Sequence, residues 1–172
     1  MANRKNIAIL VEDLYQVLEV WYPLLRLREE GFTAVTVGTG VKETYGSKEG
    51  YPVKADIAIG QARVQDFDGV IIPGGYAPDL LRRYDKVVDF VKQLNADGKI
   101  IASICHGGWL LVSAGILKGK IATSFFAIKD DIIAAGAKYV DQEVVVDGHL
   151  VTSRKPEDLP RFMQEIIKLL KT

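Results

Sequence analysis

The sequence predicts an α/β domain: a three-layer sandwich with a mostly parallel central sheet and small β-hairpins at its edges. Three observations predict it. The runs 6–11, 67–72 and 100–104 read as strands buried on both faces, as in a parallel sheet. Stretches of helical length separate them. Glycine or proline closes most of these units, at Gly31, Pro73-Gly74-Gly75 and Gly98.

In chain order, Asn6-Ile-Ala-Ile-Leu-Val11 is the first strand, ended by Glu12-Asp13. Residues 14–30 follow as a helix. Leu18, Trp21, Tyr22, Leu25 and Leu27 form its apolar side, and Pro23 predicts a kink or a restart. Residues 33–37 are the second strand. The glycines and short alternating pieces of 44–59 predict a hairpin and an edge strand, and 61–66 a connector. After the strand 67–72, Pro78 opens a short helix and Asp85 caps the next, which runs to Asp97-Gly98. The strand 100–104 leads through a tight turn into a helix that starts at Trp109, in a region ended by Gly119-Lys120. Residues 121–124 predict a short strand, 129–135 a helix stopped by Gly136, and 143–153 a hairpin around Asp147-Gly148. The closing helix, 156–170, carries Leu159, Phe162, Met163, Ile166, Ile167 and Leu170 on one side.

The 172 residues suit a single domain, 1–172, with a full core. Basic and acidic residues balance at 22 each, which favours neither nucleic acid nor an anionic membrane as partner. One cysteine excludes an internal disulfide and fits a reducing compartment, so the expected location is the cytoplasm. One Cys and two His offer no zinc spacing, and no nucleotide, flavin or metal motif is present; no cofactor is expected. The N-terminal apolar run is too short for a signal peptide core or a membrane span.

The chemistry is expected at Ser103-Ile104-Cys105-His106-Gly107-Gly108. A side chain at a strand–turn–helix elbow projects from the C-terminal end of the sheet, over the positive end of a helix dipole. Ser103 and Gly107 supply the small neighbours that such a turn needs. A thiol there is expected to have a lowered pKa and to act as a nucleophile. Attack on a carbonyl creates an oxyanion, and the backbone N–H groups of His106 and Gly75 are the candidate donors. His106 is the candidate general base and acid, although neighbours on a tight turn usually point apart. Three carboxylates could orient the site: Glu12 at the end of the first strand, Asp79 after the glycine pair, and Glu19 one helical turn past Gln16. Sequence does not choose among them.

The chain resembles the PfpI family of intracellular cysteine peptidase-like proteins, part of the superfamily of the Parkinsonism-associated deglycase with the flavodoxin-like, class I glutamine amidotransferase-like fold. Ile-Ile-Pro-Gly-Gly-Tyr-Ala-Pro (71–78), Ser-Ile-Cys-His-Gly (103–107), Ser-Ala-Gly-Ile-Leu-Lys-Gly (113–119), Ile-Lys-Asp-Asp (128–131), Ala-Gly-Ala (135–137) and Glu-Val-Val-Val-Asp-Gly (143–148) carry the resemblance. It implies Cys105 as nucleophile, an oxyanion hole from the Gly75 and His106 amides, and homodimers or hexamers. In these, His106 works with an acid from a neighbouring subunit, at the position of Asp79. It also implies a glutamate hydrogen-bonded to the sulfur, and ungapped comparison through Trp21-Tyr22-Pro23 sets Gln16 there, with Glu12 as a partial substitute. Asp79 is a methylene shorter than the usual glutamate. Phe125 stands where a tyrosine is common, and Gly108 replaces a common proline and is expected to loosen the turn. The implied activity is cysteine-dependent hydrolysis of peptide or small carbonyl substrates, of peptidase, deglycase or glyoxalase type. The alternative is a redox-sensing or stress-protection protein that uses an oxidisable Cys105 without turnover.

Overall fold

The computed structural model describes residues 4–172. The elements in chain order are β1 (Asn6–Val11), α1 (Val17–Glu29), β2 (Thr33–Gly38), β3 (Thr44–Gly46), β4 (Pro52–Lys54), β5 (Ile57–Ala58), β6 (Gly69–Ile72), α2 (Ala77–Leu81), α3 (Asp85–Ala96), β7 (Ile100–Ile104), α4 (Gly108–Ala114), β8 (Ile121–Ala122), α5 (Lys129–Ala134), β9 (Lys138–Tyr139), β10 (Val144–Asp147), β11 (Leu150–Ser153) and α6 (Leu159–Leu170).

Seven strands form the central sheet in the order β10-β11-β7-β6-β1-β2-β5. Every neighbouring pair is parallel except β10–β11, which is antiparallel and turns through Gly148-His149. The side chains from Ile7 to Val11 are all buried although they alternate between faces, so both faces are covered. Helices α1 and α6 pack on each other, as do α3 and α4, with α2 and α5 beside α4. This is the expected three-layer α/β architecture. The region 44–59 gives the antiparallel hairpin β3–β4 and the edge strand β5, as expected. Strand β8 is shorter than its expected range and pairs in parallel with β9, a strand that sequence reading missed.

Expectations about three helices need correction. Helix α1 starts at Val17, three residues late, because Leu14 takes a left-handed φ of 61° and Gln16 is the N-cap: its side-chain oxygen accepts from the Glu19 N–H at 3.0 Å. The helix runs through Pro23 without a restart. Its buried face is also different: Glu19, Val20, Pro23, Leu24 and Leu27 point inward, while Leu18, Tyr22 and Leu25 are exposed. Helix α3 begins at Asp85 itself, with Tyr84 as the N-cap. Helix α4 stops at Ala114, where Gly115 adopts the left-handed conformation, well before Gly119.

The neighbours β1, β6 and β7 bring three carboxyl ends to one edge of the sheet. The loop after β1 is tied to the loop after β6. Gln16 N–H donates to the Gly74 carbonyl at 3.2 Å, and Tyr76 N–H to the Leu14 carbonyl at 2.9 Å. Ligands of open parallel sheets bind at this edge.

Candidate active site

Cys105 follows β7 directly and occupies the left-handed region, with φ 60°, before the 3-10 turn Cys105–Gly107 passes into α4. An L residue at this φ is strained by about 1 kcal/mol, and it turns the thiol out of the strand toward the crevice. The neighbours must be small, as the sequence suggested. A Cβ on Gly107 would lie 2.6 Å from the Ile72 carbonyl and 2.8 Å from the Ser103 hydroxyl. On the facing loop, a Cβ on Gly74 would lie 2.6 Å from both the Cys105 Cβ and the Glu19 Oε2, and 2.9 Å from the sulfur. Gly108 does not loosen the turn. It is helical, and a Cβ there would lie 2.8 Å from Ile132 Cδ1, so the glycine lets α5 seat against α4.

The carboxylate at the thiol is Glu19, one of the three left open, and not the residue at position 16. Glu19 is fully buried, and its Oε2 accepts from the Gly74 N–H at 2.6 Å. The carboxyl faces the thiol across Gly74, where a single Cβ would meet both Glu19 Oε2 and the sulfur, and its Oε1 is buried with no hydrogen-bond partner. Gln16 lines the cleft mouth, but its side chain is spent on capping α1 and on Glu49, 3.4 Å away. Ungapped comparison therefore placed the acid one helical turn too early. The signal available in the sequence was a lone acid among the apolar residues Val20, Leu24 and Leu27 of one helix face.

Burial raises the Glu19 carboxyl to about 7, against the pull of the Gly74 N–H and the Lys48 charge. Burial and the Glu19 charge push the Cys105 thiol up to about 12, against the pull of the His106 and Gly75 N–H groups. The expected lowering of the thiol by the helix start alone is thus outweighed. The two acids act as a pair: they titrate in two macroscopic steps, and above about pH 7 they hold one negative charge and one proton between them. When the proton sits on Glu19, a charge that repels the thiolate becomes a donor to it.

His106 does reach its neighbour: Nδ1 lies 3.3 Å from Sγ. The ring is held between Phe125, at 4.9 Å, and Trp109, at 5.0 Å between centroids. Trp109 donates its Nε1–H to Asp131 at 2.8 Å. Burial, and after it the Lys48 charge, hold the imidazole below its usual pKa, so it is neutral and able to accept a proton at neutral pH.

The remaining expected residues divide. Gly75, His106 and Phe125 line a cleft of about 350 Å³ over the sulfur, with Lys48, Tyr76, Trp109 and Pro156; none of these last four was expected from the sequence. Asp79 lies outside that lining. Its carboxylate is held by Arg82 at 2.8 Å and Arg83 at 2.5 Å, and these two bonds keep it below the usual range. Glu12 does not substitute at the thiol: it is buried against the Thr39 hydroxyl and accepts the Asp13 N–H at 2.9 Å. A larger polar groove along 40–43 and 54–58 holds no nucleophile. Among the described residues, no group of three or more His, Cys, Asp or Glu is placed to hold a metal, and no helix is long and apolar enough to cross a membrane.

A DJ-1/PfpI family model matches residues 5–169. The chain is 42% identical over 166 residues to the deglycase PfpI of Pyrococcus furiosus, covering 96% of this chain and 99% of that one. It is 38% identical over 168 residues to protein/nucleic acid deglycase 2 of Escherichia coli, covering 96% and 98%. Among solved structures it resembles a two-domain protein of Anabaena variabilis with DJ-1/ThiJ/PfpI-like and ferritin-like domains, with TM-score 0.95 and 41% identity. That match covers 98% of this chain and 48% of the other, so this chain spans about half of the two-domain protein.

Proposed function

We propose that this chain, which belongs to the DJ-1/PfpI family, is a cysteine-dependent hydrolase of reactive carbonyls and of the adducts they form, with Cys105 as nucleophile. The observation that carries the reading is the thiol at φ 60°, with a neutral imidazole Nδ1 at 3.3 Å on one side and the Glu19 carboxyl on the other. The names of the relatives support a deglycase-type substrate, and the 350 Å³ cleft suits a small carbonyl better than a folded protein.

The chemistry follows from the geometry. The thiol proton passes to His106 or stays with Glu19 as sulfur adds to the carbonyl carbon. A C–S bond forms and the C=O π pair moves onto oxygen, where the Gly75 and His106 N–H groups receive it. Protonation of that oxygen gives a hemithioacetal. For a 2-oxo aldehyde, the proton on the thiolated carbon then moves to the adjacent carbonyl carbon through a base at the site. This oxidises the first carbon and reduces the second, and leaves a 2-hydroxy thioester. Water adds, the C–S bond breaks, and a 2-hydroxy acid leaves with the thiol restored. The redox-sensor alternative leaves the imidazole nitrogen 3.3 Å from the sulfur without a role.

The protein acts as a homodimer or hexamer in the cytoplasm, with Asp79 presented to His106 of a neighbouring copy. The exposed Leu18, Tyr22 and Leu25 on α1 support self-association. The test is consumption of methylglyoxal and appearance of lactate, with and without Cys105→Ser. The reading expects turnover that disappears in the variant. Turnover that survives in Cys105→Ser, or none in either protein, overturns it.

A further inference from the structure

We propose that Lys48 makes the cleft selective for electrophiles that carry a carboxylate close to the reacting carbon, a narrowing of substrate that rests on the carbonyl reading above. The cleft is otherwise lined by apolar and uncharged groups: Tyr76, Trp109, Phe125 and Pro156 form its walls, and Lys48 is the one fixed charge among the described lining residues. No aspartate or glutamate lines it. An anion in this cleft meets one cation among the lining side chains, and the like charge it faces is that of the Cys105–Glu19 pair at the inner end.

The backbone fixes the point from which that cation reaches the cleft. Lys48 lies in the turn between β3 and β4, and its N–H donates to the carbonyl of fully buried Tyr15 at 2.9 Å. Ser47 N–H donates to Tyr51 at 2.8 Å and Gly50 N–H to Ser47 at 2.9 Å, which closes the turn. The one acid near the ammonium, Glu49, is 3.6 Å away. Its carboxylate is occupied at the start of α1, by the Val17 N–H at 3.2 Å and the Gln16 amide at 3.4 Å, outside the cleft lining. The field of Lys48 reaches the reacting groups, since its charge favours the ionised form of Glu19 and the neutral form of His106. Above about pH 7 the Cys105–Glu19 pair carries one negative charge, which alone repels an anionic electrophile, and Lys48 is the countercharge that admits it.

Alkylation of Cys105 by iodoacetate and by iodoacetamide tests this without requiring turnover, because the two reagents differ mainly in charge. The ratio of the two rate constants is expected to fall roughly fivefold in Lys48→Gln and further in Lys48→Glu, and to be retained in Lys48→Arg. Raising the salt from 0.05 to 0.5 M is expected to lower the ratio in the native protein and to raise it in Lys48→Gln, where only the repulsion by the Cys105–Glu19 pair is left to screen. A ratio indifferent to residue 48 overturns the proposal even if methylglyoxal is consumed. A ratio that falls as stated upholds charge selection even if methylglyoxal is not consumed, in which case the hydrolase reading fails on its own.

Discussion

The inner wall of the cleft and its mouth are built by different means. The inner wall is Cys105, backed from behind the lining by Glu19 and Gly74, all three buried and held by strand ends and by contacts that admit no further atom. The mouth is Gln16, Lys48 and Tyr76, side chains on loops and a helix start, held mainly through backbone bonds. Reactivity depends on the first and discrimination on the second. A change inside the wall therefore moves the fold and the chemistry together, whereas a change at the mouth redirects the chemistry at little cost to the fold.

Gly74→Ala is the sharpest way to break the contrast. The new Cβ would meet the Cys105 Cβ and the Glu19 Oε2 at 2.6 Å; the first is fixed to the backbone, and the second is buried and held by the Gly74 N–H. We expect a loss of roughly 2 kcal/mol or more by denaturant titration, together with at least a hundredfold drop in carbonyl turnover. Wild-type activity in this variant would mean the wall is softer than its packing implies.

Glu19→Gln acts next, through protons. Below about pH 4.5 the carboxyl is protonated whether folded or unfolded, so it carries no penalty. As pH rises toward 7 the unfolded chain ionises and the folded one resists, so the native protein loses up to roughly 3 kcal/mol that the amide does not lose. The stability of Glu19→Gln relative to the parent should improve between pH 4.5 and 7.5, with Cys105, Lys48 and Glu49 as the ionisable groups that face the site. Alkylation by iodoacetamide supplies the second readout. The parent should show a midpoint near 7 with a plateau above it, because the pair already shares its charge, whereas the variant should show one midpoint at more alkaline pH. Identical profiles would mean that the two acids titrate independently.

Asp79→Asn is the smallest change in stability and sharpens the comparison from the rim. Arg82 and Arg83 are part-exposed, so losing these ion pairs should cost less than about 1 kcal/mol in the melting transition. Turnover should still fall several-fold, and only at protein concentrations where copies associate, if the carboxylate serves a neighbour's His106. A drop independent of concentration would move its action into its own subunit.

The same division explains what the sequence made legible. Strands β1 and β7, the glycine pair and the elbow at Cys105 were readable because burial on both faces and a tight turn each leave a local pattern. The face of α1 was not. Leu18, Tyr22 and Leu25 form an apolar stripe as convincing as the buried one, and the helix turned instead on Glu19, whose partners Gly74 and Cys105 lie 55 and 86 residues away in the chain. Gln16 was misassigned because an ungapped comparison carries no knowledge of where the helix begins, and here it begins just after Gln16. Lys48 was invisible for a similar reason: the hairpin was expected, but which of its side chains would face the cleft depends on the bond to Tyr15. Strand β9 is two residues long, too short for any periodicity to register, whereas β8, equally short, was legible only as the start of the run 121–124.

The left-handed φ of Cys105 sets stability against chemistry at a single codon. Glycine is the residue that relaxes there, so Cys105→Gly should yield a chain that melts higher and does nothing. A lineage screened for thermal persistence alone would drift toward glycine at this position and lose its nucleophile without losing its shape. A library search for hardier variants of this protein must therefore score turnover in the same round, or it will enrich for well-folded, inactive copies.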